Sequence, residues 1–265
     1  LASYERQIHH GPEGSLPYRL FRPLAFAAAL PNDSRGIPNP RWPLVLFLHG
    51  AGERGDDNES PLVHGTADFA AVARQHRDPC FVVVPQCPGG EVWASIERTH
   101  EPTVLAAVPS RPLRMVRELL AELLETLPID RERVYLTGLS MGGYGAWDLL
   151  QRDPHDFAAA ILICGGADCH PARLMSLTDK PLWIFHGDQD QVVPVARSRE
   201  IVAALRAVGG NPRYTEYLDV GHDSWTATYR NPSVLDWLFA HRRDSTHGVP
   251  NPKSANTSPG GEELR

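Results

Sequence analysis

Three side chains that can do acyl-transfer chemistry lie far apart in this chain, and each follows a stretch that reads as a strand. The first is Ser140, within Gly138-Leu-Ser-Met-Gly142, preceded by Val134-Tyr-Leu136 and followed by Ala146-Trp-Asp-Leu-Leu150. The second is Asp190, within Asp188-Gln-Asp-Gln-Val-Val-Pro194 after Pro181-Leu-Trp-Ile-Phe-His-Gly187. The third is His222, in Gly221-His-Asp-Ser-Trp225 after Arg213 to Leu218. A serine hydroxyl is a weak nucleophile until an adjacent base takes its proton. An imidazole ionises near neutrality, so it can accept that proton and return it to a leaving group. A carboxylate on the far side of the ring fixes its tautomer and stabilises the imidazolium.

The glycines around Ser140 have a steric purpose. A serine at a tight strand-to-helix turn sits in a strained backbone conformation, so its flanks must lack bulk. The helix that follows turns its first N–H groups and its positive dipole end toward an oxyanion. The expected donors are the N–H of Met141 and that of Ala51, with Gly52 as second choice, from the loop Ala51-Gly-Glu-Arg-Gly-Asp-Asp-Asn58. Asp188 competes with Asp190 for the acid role. Asp190 is preferred because it directly precedes the Gln191-Val-Val-Pro turn, which leaves Asp188 as a turn former. His49 and His186, each at a strand end, are read as histidines that organise their loops. Trp93 is read either as a wall of a substrate groove or as simple packing. Gly52 and Trp225 are further substrate-side candidates, and Asp223 and Trp225 could equally face solvent.

The elements that must position these groups alternate between strand and helix. Gln7 to His9 and Leu16 to Pro23, joined by the Gly11–Gly14 turn, predict an antiparallel edge hairpin. Pro43–Leu48 and Cys80–Pro85 are apolar throughout, as central parallel strands covered on both faces would be. Further strands are expected at Val134–Leu136, Phe157–Cys164, Pro181–Gly187 and Arg213–Leu218. Helices are expected at Thr66–His76 with Thr66 as cap, Pro112–Leu127, the stretch after Ser140, Val195–Val208 and Ser233–Arg242, with a possible helical turn at Phe26–Leu30. Ser95 to Arg111 reads as irregular. Alternating strands and helices imply a parallel sheet with right-handed crossovers and ligand sites at the strand carboxyl ends. Residues 1–243 are expected to form one catalytic domain, and the polar tail 244–265 to be disordered.

Composition narrows the function classes. The net charge of −6 and the lack of a basic stripe disfavour nucleic acid as a partner. No apolar run is long enough to span a membrane. Cys80, Cys87, Cys164 and Cys169 lack Cys-x-x-Cys spacing, which argues against zinc. They read as buried thiols, with local disulfides as the alternative. The first residues show no leader pattern, and the chain begins with Leu1, so cytoplasm and export with a leader removed are both open.

Taken together, Leu48–Asn58, Pro85–Pro88, Gly138–Trp147, His186–Pro194 and Gly221-His222 resemble blocks of the α/β-hydrolase superfamily. They are most similar to its phospholipase/carboxylesterase and feruloyl-esterase-like group, which borders the prolyl oligopeptidase catalytic domains. The resemblance spans roughly Tyr18 to Arg242. It implies a three-layer sandwich with a mostly parallel central sheet and helices on both faces. It also implies Ser140, Asp190 and His222 as a triad, and Ala51 and Met141 as oxyanion donors. The chain order Ser, Asp, His is the one this superfamily uses. The link between the strands ending at Cys164 and beginning near Leu182 is too short for a large cap domain, which predicts an open groove. The expected activity is hydrolysis of a small-molecule or polymer-linked carboxylic ester, with no metal or organic cofactor. A prolyl-oligopeptidase-type peptidase and a non-catalytic binding module are the alternatives. The blocks leave acyl preference and oligomeric state open.

Overall fold

The computed structural model describes residues 3–26, 40–97 and 103–243. The N-terminal hairpin forms where Gly11 to Gly14 allows a tight reversal, pairing β1 (Glu5–Gly11) with β2 (Gly14–Phe21) antiparallel. β3 (Trp42–Leu48) and β4 (Phe81–Pro85) are buried along nearly their whole length, as their unbroken apolarity requires. Next in the chain come a short ribbon, β5 (Ile96–Glu97) with β6 (Val104–Leu105), and then β7 (Ile129–Leu139), β8 (Ala159–Ile163), β9 (Leu182–Gly187) and β10 (Arg213–Tyr217). Among the described residues, eight strands make one sheet in the order β1-β2-β4-β3-β7-β8-β9-β10. The first two pairings, β1 with β2 and β2 with β4, are antiparallel, and every later pairing is parallel. This is the mostly parallel sheet with an antiparallel edge hairpin that the sequence predicts.

Side-chain alternation along the strands sorts the core into two layers. Leu44, Leu46 and Leu48 of β3 face one layer, built with α3 (Arg111–Thr126), α4 (Met141–Arg152) and α6 (Ala196–Ala207). Val45 and Phe47 face the other, with α1 (Thr66–Ala70), α7 (Trp225–Arg230) and α8 (Pro232–Phe239). α3 buries Leu113, Val116, Leu119, Leu120 and Leu123 on one face, as their spacing predicts, and Ser110 caps it by accepting from Leu113 N–H.

Several local expectations need correction. The helix expected over Thr66–His76 is broken at Ala71, whose ψ of 134° ends α1 before α2 (Val72–Arg77) begins. Gly65 holds the cap position at φ 71°, and the Thr66 hydroxyl donates instead to Leu62 O at 2.9 Å. A side chain at Gly65 would run into the Tyr229 ring, so this turn is set by tertiary packing. The closing helix expected at Ser233–Arg242 is α8, which starts at Pro232 and ends at Phe239, and α7 is an additional helix just before it. All four cysteines are free thiols, and Cys80, Cys87 and Cys164 are buried. Between β8 and β9 there is only α5 (Pro171–Leu174) and one 3-10 turn, so no large cap sits there. No helix among the described residues is long and apolar enough to cross a membrane. The helical turn expected after Phe26 and the tail 244–265 lie outside the described residues.

Candidate active site

β7 delivers Ser140 at the middle of the sheet and α4 starts at the next residue. Ser140 has φ 52° and ψ −118°, a conformation L-residues rarely adopt. The flanking glycines make it possible. A Cβ on Gly138 would collide with Gly142 O, and one on Gly142 would collide with Leu48 O, where α4 presses against the end of β3. Strand, turn and helix are thus locked by backbone-to-backbone approach that any side chain would block.

The carboxyl ends of β9 and β10 supply the other two groups. Asp190 is buried, and its Oδ1 accepts from the N–H groups of Val192 (2.8 Å) and Val193 (2.9 Å). Its Oδ2 lies 2.6 Å from His222 Nδ1, and His222 Nε2 lies 2.9 Å from Ser140 Oγ. Burial works against an ionised Asp190, but the hydrogen bonds from His222, Val193 and Val192 outweigh it and hold the carboxyl below its ordinary pKa. With Asp190 ionised, Nδ1–H donates to it. The Nε2 lone pair then faces the Ser140 hydroxyl, the tautomer a general base needs. Asp188, one strand-end position earlier, has its N–H on Tyr217 O and makes no bond to His222.

Two histidines hold the loops beside these groups. His49 is buried. Its Nδ1 donates to Gly50 O at 2.6 Å, and its Nε2 accepts from Cys87 N–H at 2.9 Å. Burial lowers its pKa to about 4, so it is neutral. His186 spans Ser198 Oγ (2.7 Å) and Val193 O (2.9 Å), tying the Asp190 turn to α6. Burial lowers its pKa as well.

An open groove of about 760 Å³ begins at Ser140 and Met141 and includes Ala51. Met141 is the first residue of α4, and Ala51 is the first residue of a 3-10 turn, Ala51–Glu53. Their N–H groups therefore have no acceptor within their own helix. The structure brings these two together beside the serine. Gly52 sits on the exposed side of the same turn and is not part of the groove wall.

Trp93 does not line the groove, which corrects one of the two readings above. It is fully buried, donates from Nε1 to His49 O at 3.0 Å, and packs so close to α4 that a Cβ on Gly145 would sit 2.5 Å from its own Cβ. Its neighbours Val92, Ala94 and Ser95 line the groove instead. Trp225 stands beside the triad rather than in the groove, edge-on to His222 at 5.2 Å between ring centres and 5.4 Å from His64.

Arg54, Tyr144, Val192 and Arg197 carry no motif that marks them, yet all four line the groove. Glu53, also unremarked, is buried with one oxygen unpartnered and the other 3.6 Å from His64 Nε2. Among the described residues, the donor atoms of Cys164, Asp190 and His222 lie within 4.8 Å of one another, close enough to share an ion. The chemistry of that set fits poorly. Asp190 and His222 are already bonded to each other, and burial pushes the Cys164 thiol up to about 12, so it stays protonated.

Sheet order, a strained serine at the central strand–helix turn and a groove at the strand carboxyl ends define an α/β-hydrolase. Residues 38–231 match the Phospholipase/Carboxylesterase family, and the chain belongs to it. It is 28% identical over 177 residues to "Putative esterase NocK" of Nocardia uniformis subsp. tsuyamanensis, covering 66% of this chain and 48% of that protein. It is 26% identical over 220 residues to a poly(3-hydroxyoctanoate) depolymerase of Pseudomonas fluorescens, covering 77% and 76%. Among solved structures, a thermostable esterase superposes with a TM-score of 0.80 at 39% identity, over 91% of this chain and 63% of that one. A ferulic acid esterase superposes at 0.64 with 17% identity, over 90% and 97%, a likeness of fold. The chain thus spans about half the length of the first of these relatives and under two thirds of the thermostable esterase.

Proposed function

We propose that the protein hydrolyses carboxylic esters through an acyl-enzyme on Ser140. One observation carries this reading: the continuous hydrogen-bonded line Ser140 Oγ, His222 Nε2, His222 Nδ1, Asp190 Oδ2, at 2.9 and 2.6 Å. Family membership and the esterase names of its relatives support it. Ser140 Oγ bonds to the ester carbonyl carbon as its proton passes to His222 Nε2. The N–H groups of Ala51 and Met141 hold the oxyanion that forms. The intermediate collapses, the ester C–O bond breaks, and His222 gives its proton to the departing alcohol. Water then attacks the acyl group, with His222 taking its proton, and releases the acid and free Ser140. Asp190 stays ionised and keeps the ring oriented throughout.

The groove has no cap between β8 and β9, which suits bulky or polymer-linked esters as well as small ones. Turnover of p-nitrophenyl acetate and of peptide p-nitroanilides by the purified protein tests the class. Ester turnover exceeding anilide turnover by orders of magnitude is expected. Comparable or faster anilide cleavage would assign a peptidase instead.

A further inference from the structure

The groove that leads to Ser140 is lined by two arginines, Arg54 and Arg197, and by no acidic residue among those described. In this chain that is an anomaly. The net charge is −6, and most arginines sit on a carboxylate: Arg114 on Glu13 (2.8 Å), Arg117 on Asp153 (2.7 Å), Arg133 on Asp130 (2.7 Å). Among the described residues Arg54 has no such partner. Its guanidinium is fixed by two backbone carbonyls, Ala51 O at 2.8 Å from Nε and Glu91 O at 3.2 Å from Nη1. The Glu91 side chain is committed elsewhere, to Arg111. The fork is thus held in place while no carboxylate among the described residues pairs with it.

Arg197 faces the groove from α6. It is the second residue of α6, where the helix presents its positive end and a cation is electrostatically disfavoured. Its one carboxylate contact is Glu200 at 3.4 Å, a loose pair on the exposed helix surface. A positive charge placed against a helix dipole, opposite a second cation without a counter-ion, is a local conflict that folding alone does not explain.

The geometry points to a substrate class: esters that carry a carboxylate, received by Arg54 and Arg197 while the ester carbonyl lies at Ser140. This rests on the ester-hydrolase reading above and narrows it. Arg54 bears the larger share, because its anchoring to two carbonyls pre-orients the N–H groups that remain. The carboxylate can belong to the acyl or the alcohol portion, and both place the same charge in the same groove.

Matched substrate pairs test this. Mono-p-nitrophenyl glutarate against p-nitrophenyl pentanoate puts the charge on the acyl side. 3-Acetoxybenzoate against 3-acetoxybenzamide puts it on the alcohol side. In at least one pair the charged ester should have a kcat/KM about tenfold higher at low salt, the scale of one or two charge-assisted hydrogen bonds in a solvated groove. The ratio should fall toward one in 0.5 M NaCl. It should also fall in Arg54→Gln and in Arg197→Gln, the latter making no contact with the Ala51 loop, and be partly kept in Arg54→Lys. Which pair responds locates the carboxylate. Binding of the same esters to Ser140→Ala by calorimetry reads the charge preference without turnover. That preference, together with a wild-type protein that turns over neither member of either pair, would fault the hydrolase reading and keep this one. Neutral esters turned over as well as charged ones in both pairs, or a ratio that survives both glutamine variants, would overturn it.

Discussion

Acid should loosen this protein through a residue that is not in its proposed triad. His49 is buried with both ring nitrogens used: Nδ1 donates to Gly50 O, and Nε2 accepts from Cys87 N–H. A second proton on Nε2 would break the bond from Cys87 and leave a charge in the core. Burial accordingly lowers the folded-state pKa from 6.5 to about 4. Above pH 6.5 the ring is neutral in folded and unfolded chains, and its stabilising contribution is complete. Between 6.5 and about 4 the unfolded chain takes up a proton that the folded one refuses, so stability is lost as pH falls. The whole interval is worth about 3 kcal/mol, and about 2 kcal/mol of it is gone by pH 4.5. His49→Gln supplies a neutral donor and acceptor in similar positions. Urea unfolding followed by tryptophan fluorescence, at pH 7 and at about pH 4.5, measures the loss for each protein. The wild type should lose about 2 kcal/mol more than the variant between the two conditions. Equal losses would refute the claim that His49 is held neutral by its burial.

Asp190→Asn should lower kcat by about four orders of magnitude, because an amide N–H facing Nδ1 favours the wrong imidazole tautomer. Asp188→Asn should change kcat only a few-fold, and the reverse ranking would reassign the acid. Gly142→Ala drives a Cβ into Leu48 O, backbone against backbone, and should cost about 3 kcal/mol and lower Tm by roughly 10 °C. An unchanged Tm by calorimetry would show that α4 does not press on β3 as described.

Much of this site can be read without coordinates because its constraints are local. Gly138 is needed for a backbone approach to Gly142, within five residues, and Ser140, Asp190 and His222 each come within five residues of the end of a strand. The tight clustering of the three is a property of the sheet: β7, β9 and β10 are fixed in order by parallel pairing. What stays hidden depends on which way a side chain points where no period is established. Trp93 turns inward while Val92 and Ala94 turn to the groove, and nothing in Glu91-Val-Trp-Ala-Ser95 says which. The ribbon of β5 and β6 is two residues per strand, below the length at which alternation is visible. The cap at Gly65 follows from Tyr229, more than 150 residues away. That the Glu91 carboxylate turns to Arg111 while Arg54 takes only its carbonyl is likewise invisible.

The central claim is that Ser140 is a nucleophile activated by His222. Incubation with a fluorophosphonate probe, followed by intact-mass and peptide mapping, tests it most directly. The account predicts one label per chain, on the Ser140 peptide, abolished in Ser140→Ala and strongly slowed in His222→Ala. An esterase-active protein that takes no label, or takes it on another residue while Ser140 remains free, would contradict it.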